Sequence, residues 1–376
     1  MEDTNDFWKF ERSPSNNIFA IDDDTIDNRM FSKVVENYYD SHEFDNRDKD
    51  LRKASIVHKI VRKQVHKFLK EGTSIRKLVR FTEDKILSLC KQDRSTYFGK
   101  HTDSGIGFPV GVSINNVVAH DSELLKDNRI LGKGDIVKFD FGVHMNGNII
   151  DSAFTHIVDE DETNNVYENL LTASKDATYS AIAISGPDAR LIELSEVISE
   201  IISSYELPID TDFANLAINP VIGIGGHNIE PYKIHANKFI FSVPDEKIQG
   251  DSKMDEGEIF AIETFATTGD GTIAQDDDLN HCSHFMINRD CKSKRFFKKN
   301  TVYNSVKHRD GMPFSLSWCD KRDKKFFKDL KQGIQMQDIT AFPPLMDMEE
   351  THVSQFEHTI RVKDGCVEVY SLGDDY

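Results

Sequence analysis

The sequence predicts an α+β protein with two related halves around a shared, central antiparallel sheet, flanking helices, and a helical insertion late in the chain. Three observations carry this. Apolar stripes at helical spacing come in two pairs. Short β-branched runs follow each pair. A Lys- and Phe-rich stretch, about 295–345, then interrupts the strands before the C-terminus.

Residues 1–50 mix Asp, Asn and Ser with isolated aromatics (Phe7, Trp8, Phe10, Phe19, Tyr38, Tyr39) and read as an acidic extension preceding a domain of 51–376. Val57, Ile60, Val61, Val65, Phe68 and Leu69 form one apolar stripe, which Gly72 ends. Thr73 or Ser74 caps a second helix carrying Ile75, Leu78, Val79, Ile86 and Leu87. A second pair is expected at about 165–184 and 189–205, with Asp188 as cap after Gly186-Pro187. Strands are expected at Ile136–Val143, Ile149–Val158, Ile234–Val243 and Ile259–Thr264, and finally at 353–362 and 366–371.

Composition excludes several classes. With 38% hydrophobic and 29% charged residues, the chain can fill a core and stay soluble. No run of about 18 apolar residues is present, so no transmembrane helix is expected. The acidic, polar start lacks a secretory signal, and a cytoplasmic protein is expected. A net charge of -18 argues against nucleic-acid binding, and Lys292–Lys299 with Lys321–Lys328 read as a solvated helical face. Cys90, Cys282, Cys291, Cys319 and Cys366 are scattered without a CxxC pair and read as free thiols.

The strongest local signal is the segment from Lys138 to Asp151. Asn146-Gly147 is a preferred two-residue hairpin turn, since both positions tolerate positive φ. Centring the turn there pairs Met145 with Asn148 and Asp140 with Ala153. Asp151 then shares the facing of Asp140 as a diagonal neighbour, roughly 7–8 Å away. Flanking apolar residues would bury both acids, which demands a positive partner. Taken alone, the segment fits two surface acids on an amphipathic hairpin equally well.

Three further segments offer ligand chemistry. Gly225-Gly226-His227 lets the backbone pass close to a site. Glu263 lies inside Ile259–Phe265, and Glu357 inside Gln355–Ile360, both apolar strands. Lys138 is the nearest cation, and one Lys cannot balance four acids. Two divalent cations would balance Asp140, Asp151, Glu263 and Glu357, with His227 ligating while neutral. Oxygen ligands with one imidazole suit Mn, Fe, Co or Zn, and such a pair activates water.

In order, Asp140, Asp151, His227, Glu263 and Glu357 resemble the five-ligand signature of the pita-bread metallopeptidases. The surrounding segments resemble type 2 methionine aminopeptidase more closely still: Phe108–His120, Lys138–Gly142, Ile149–Phe154, Tyr232–His235, Ala261–Phe265, Cys282–His284, Gln355–Thr359 and Gly373–Tyr376. The resemblance covers about 55–376. It implies the pita-bread fold and removal of the initiator methionine from nascent chains when the next residue is small. Asp140 would bind one metal, His227 and Glu263 the other, and Asp151 and Glu357 both. A bridging water or hydroxide would attack the carbonyl, with Glu263 accepting its proton. His120 would contact the scissile amide, and His235 would hold the substrate. Phe108, Ile234 and His284 would line the methionine pocket.

The stretch between Glu263 and Glu357 resembles type 2 rather than type 1 enzymes. Glu230-Pro231 and Asn237 depart from the small residues usual near the histidines, and Phe342 stands where tyrosine is common. These departures bear on specificity, not on the metal site. The lysine-rich N-terminal tract of some relatives is missing, so ribosome association is not indicated.

Two rival readings share the fold. A proline-directed aminopeptidase would carry a large extra N-terminal domain. A non-catalytic binding protein would have lost ligands, whereas all five positions here hold competent residues.

Overall fold

The computed structural model describes residues 11–12 and 45–373, apart from 161–164, 209–215, 277, 289–298 and 320–321. The aromatics expected in the N-terminal extension, Cys291 and the tract 292–298 lie outside these residues.

The first helix, α1 (Asn46–His66), begins eleven residues before the apolar stripe, capped by Asp45, which accepts from the Asp48 N–H at 2.7 Å. Its first turns are polar because they bury ion pairs; Arg52 meets Glu368 at 2.7 Å. Polar burial of this kind leaves no hydrophobic period to read. α2 (Ile75–Leu89) starts at Ser74, whose hydroxyl accepts from the Lys77 N–H. β1 (Gly111–Ile114), β2 (Ile136–Met145) and β3 (Asn148–Ile157) follow. Asn146 and Gly147 take φ of 49° and 80°, and the hairpin pairs Met145 with Asn148 and Asp140 with Ala153, as its turn predicts.

α3 (Glu168–Ile184) and α4 (Leu191–Ser203) form the second pair. Asp188 is not the cap: Arg190 holds that position without a side-chain bond. Backbone bonds from the Asp188 and Leu191 N–H groups to Met254 and Ser252 fix the helix start instead.

β4 (Gly225–Ile229), β5 (Phe239–Phe241) and β6 (Ile259–Thr267) come next. The strand expected over 234–243 shrinks to three residues. Tyr232 (φ 60°) closes a turn after Pro231, and Asn228 Oδ1 accepts from the N–H groups of Asn237 and Lys238. Ile234 and His235 therefore sit on a loop.

β7 (His284–Ile287) precedes the insertion helices α5 (Thr301–Val306) and α6 (Lys324–Gln335). The helical stretch ends there, and β8 (Ile339–Phe342) pairs back on β7. β9 (Val353–Lys363) and β10 (Cys366–Val369) complete the chain.

The two largest backbone-bonded sheets carry the site. One orders Ser104–Ile106, β2 and β1, with β3 on β2; the other orders β10, β9, β6, β4 and β5. They meet at β3 and β9, which run antiparallel and are stitched by hydroxyls. Thr359 Oγ1 bonds both the N–H and the carbonyl of Asp151, Ser152 bonds the Glu357 carbonyl, and Thr155 bonds the N–H and carbonyl of Gln355. α1 and α2 pack on Phe139, Phe141 and Val143 of β2. α3 and α4 pack on Phe260, Ile262 and Ile360 of β6 and β9. Helices thus cover one face of the joined sheet, and alternation turns Asp140, Glu263 and Glu357 to the other.

Among the described residues, Cys90, Cys282, Cys319 and Cys366 form no disulfide. No helix among the described residues is long and apolar enough to cross a membrane.

Candidate metal centre

Strand register places the candidate ligands in two adjacent rows on the open face. The first row runs Asp140, Ala153, Glu357, Glu263, then Gly225 and Phe241. The pairing of Gly225 with Glu263 continues the β4–β6 register, and that of Ala153 with Glu357 continues the seam. The second row runs Gly142, Asp151, Thr359, Ala261, His227 and Phe239. Residues far apart in sequence converge because six strands lie in register.

Asp151, His227 and Glu357 each offer a ligand atom, all within 4.8 Å of one another. His227 Nε2 stands 3.7 Å from Asp151 Oδ2 and 3.7 Å from Glu263 Oε1. Burial, reinforced by His235, pushes the His227 pKa well below its ordinary value, so the ring is neutral and these are not ion pairs. The spacing is too long for hydrogen bonds, but donors each about 2.0–2.2 Å from a shared ion stand about 3–4 Å apart.

Among the described residues, the acids lack protein counter-charges. Asp140 Oδ1, Asp151 Oδ1 and Glu357 Oε2 are buried without a hydrogen-bond partner. Burial raises Asp140 to about 7. It raises Asp151, Glu263 and Glu357 well above the usual range, with their mutual repulsion adding to it. Lys138, on the same face as Asp140, donates to the Asn115 carbonyl at 2.6 Å instead, and burial pushes its pKa well down. Carboxylates in such a place stay ionised only beside a bound cation. The donor set of oxygens and one imidazole fits divalent metal.

A cavity of about 220 Å³ opens over the ligands. All ten residues singled out from the sequence line it: Asp140, Asp151, His227, Glu263, Glu357, His120, His235, Phe108, Ile234 and His284. His120 takes φ 65°, a left-handed conformation rare for a β-carbon-bearing residue and frequent at functional sites. Burial and the neighbouring His284 and His235 hold its pKa down at about 3. His235 packs edge-on against His227, with centroids 4.3 Å apart, and burial lowers it to about 4. His284 Nε2 donates to the Pro109 carbonyl at 3.1 Å, leaving Nδ1 to accept from the Ser283 hydroxyl. Phe108 lies over Gly142, where a β-carbon would fall 2.3 Å from its ring.

Sequence reasoning missed several cavity residues. Gln355 Nε2 donates to Glu263 Oε2 at 3.1 Å. It lies two residues before Glu357, so strand alternation was a usable signal. Phe239, Phe241 and Leu345 also line the cavity, and Phe342 packs beside His120 and His235. In the sequence Phe342 is marked only as standing where tyrosine is common; nothing local marks Phe239, Phe241 or Leu345, whose placement depends on strand pairing.

Fold and site together define a class: a pita-bread metalloprotein with an acid-rich, water-accessible metal centre. A family model for metallopeptidase family M24 matches residues 49–363. The chain is 35% identical over 359 residues to methionine aminopeptidase 2 of Yarrowia lipolytica, spanning 94% of this chain and 72% of that one. It is 37% identical over 331 residues to the Schizosaccharomyces pombe protein of the same name, spanning 87% and 73%. The chain belongs to metallopeptidase family M24 and, within it, to the type 2 methionine aminopeptidases. Among solved structures, a thermophilic Arx1 superposes with TM-score 0.73 at 13% identity, covering 89% and 93% of the two chains. A methionine aminopeptidase from Thermotoga maritima superposes with TM-score 0.57 at 18% identity, covering 88% and 98%. At those identities the two structures bear on the fold alone.

Proposed function

We propose that the protein removes the N-terminal methionine from nascent polypeptides in the cytoplasm when the next residue is small. Two divalent metal ions would be held by Asp140, Asp151, His227, Glu263 and Glu357. The observation that carries this is the set of buried, uncompensated carboxylates around a neutral imidazole. Two dications match four carboxylates in charge, and Co, Mn, Fe or Zn would all suit these donors.

When bound, the metal pair supplies an activated water and charge stabilisation for the tetrahedral state. The chain's own residues do the rest. Asp140, Asp151, His227, Glu263 and Glu357 would together hold the metal ions. Gln355 fixes Glu263 Oε2 by hydrogen bond and so orients the carboxyl with Oε1 toward His227; the same carboxyl would accept the proton. Neutral His120 and His235 offer hydrogen bonds to the scissile amide without adding charge. Phe108, Ile234 and His284 form the methionine pocket, where an adaptable thioether packs against rings. The catalytic domain would begin with α1 at Asn46, five residues before the boundary expected at 51, because Asp48 is buried against Arg361 and Tyr370. Neither a ribosome contact nor nucleic-acid binding is part of this reading.

The test is an anaerobic metal titration of the purified protein, followed by release of methionine from Met-Ala-Ser. Methionine release should saturate at two equivalents of Mn or Co. Peptides of Xaa-Pro sequence should stay intact. Absence of methionine release with any of the four metals would falsify the proposal.

A further inference from the structure

We infer that the stacked rings of Phe239 and Phe241 form a subsite for an apolar or aromatic side chain at the substrate's third residue. The inference rests on the methionine-removing reading and extends it down the peptide.

Phe239 and Phe241 occupy alternate positions of β5, at the edge of the sheet, so both face the cavity. Their rings lie 5.7 Å apart and within 4° of parallel. Neither ring belongs to a packed core cluster, although Phe241 is only 8% exposed. Apolar rings that face a cavity and fill no core are a binding surface in search of an apolar partner.

Position along the rows says which part of a peptide they meet. Phe108 lies over Gly142 at one end of the second row, and Phe239 closes the other end. The ligands occupy the middle, so a peptide with its methionine against Phe108 runs its remaining residues toward β5. Phe241 stands two strands beyond Glu263, roughly 10 Å at about 4.8 Å per strand. An extended chain advances about 3.5 Å per residue, so a long third side chain bridges that distance and the second does not.

Gly225 keeps the path clear. It lies between Glu263 and Phe241 with φ 155°, and a β-carbon there would fall 2.3 Å from the Ile240 carbonyl oxygen. No side chain therefore rises between the metal centre and the rings. Among the described residues, the cavity lining carries no ionisable group outside the candidate ligands and histidines, so a charged third residue gains nothing there.

The test compares kcat/KM for Met-Ala-Phe, Met-Ala-Gly and Met-Ala-Asp with the metal-loaded protein. Phe over Gly should be favoured about five- to tenfold, the scale of an aromatic pair, with Asp no better than Gly. In Phe241→Ala the Phe/Gly ratio should fall toward one; Phe239→Ala supplies the same test if the first variant does not fold. The ratio is internal to each protein, so a general loss of activity does not imitate the effect. Equal rates in the wild type, or a ratio kept in the variants, overturn the inference while leaving methionine removal intact. If the variants instead accept a larger second residue with the ratio unchanged, the assignment to the third residue is overturned. Release of no methionine from any peptide would remove the parent reading and this inference with it.

Discussion

Two regions of this protein bury acidic side chains, and they solve the problem in opposite ways. Where α1 meets β9 and β10, each acid has a protein cation. Glu368 lies 2.7 Å from Arg52 and 2.7 Å from Lys363, and Asp48 lies 2.9 Å from Arg361 and is hydrogen-bonded by the Tyr370 hydroxyl. In the candidate metal centre four acids face one another with one neutral imidazole and, among the described residues, no Lys or Arg. The first region is electrostatically complete as a polypeptide. The second is complete only with cations, so it is built for binding and not for holding the apoprotein together.

Removing Asp151 tests this contrast most severely. Asp151→Ala should lower methionine release on the order of a thousandfold or more and abolish the two-metal stoichiometry. Because the change also deletes one repelled acid, the metal-free variant should melt higher than the metal-free wild type. Calorimetry with and without metal reads both effects, and a metal-free variant that melts lower breaks the comparison.

The paired region predicts the reverse. Arg52→Met leaves Glu368 with Lys363 alone and should cost about 3 kcal/mol, the lower end for breaking a buried pair. Denaturant unfolding measures it, with metal stoichiometry unchanged. Loss of metal affinity instead of stability would show that the two regions are coupled.

The smallest effect is in pH dependence. In the metal-free protein Asp140 keeps its proton to about 7, whereas an unfolded Asp ionises near about 4. Across that window the folded state binds more protons than the unfolded one, so stability falls as pH rises from about 4 to about 7. The other three acids shift the same way and carry the decline higher. The melting temperature of the metal-free protein should drop by several degrees across that window, on the order of 5 °C. Metal-loaded protein, whose acids are held ionised, should show no such slope.

Much of the site was legible in the chain because its signals are local. Asn146-Gly147 set the hairpin register and hence the common facing of Asp140 and Asp151. Ser74 capped the helix expected of it. The misreadings share one cause, which is that a long-range contact replaced a local one. Asn46–Ile56 is helical because buried ion pairs anchor its inner face beside only three apolar residues, Leu51, Ala54 and Ile56, too few to show a period. Asp188 yields its capping role to the Ser252 and Met254 carbonyls, which accept from the Leu191 and Asp188 N–H groups. The loop through Ile234 and His235 follows from Asn228 claiming two N–H groups that a longer strand would have used.

By itself, then, the amino-acid order determined the helix pairs, the strand alternation that hides apolar side chains, and the choice of five candidate ligands. Alternation has a period of two residues and a turn spans four, so both can be read within a short window. Tertiary structure alone decided that Asp140, Asp151, Glu357, Glu263 and His227 would fall in two neighbouring rows, and that Phe239 and Phe241 would end them. That alignment passes through a seam of Thr and Ser hydroxyls between strands some 200 residues apart. Such pairing between distant strands is a property of the folded sheet and leaves no mark in any short stretch of chain.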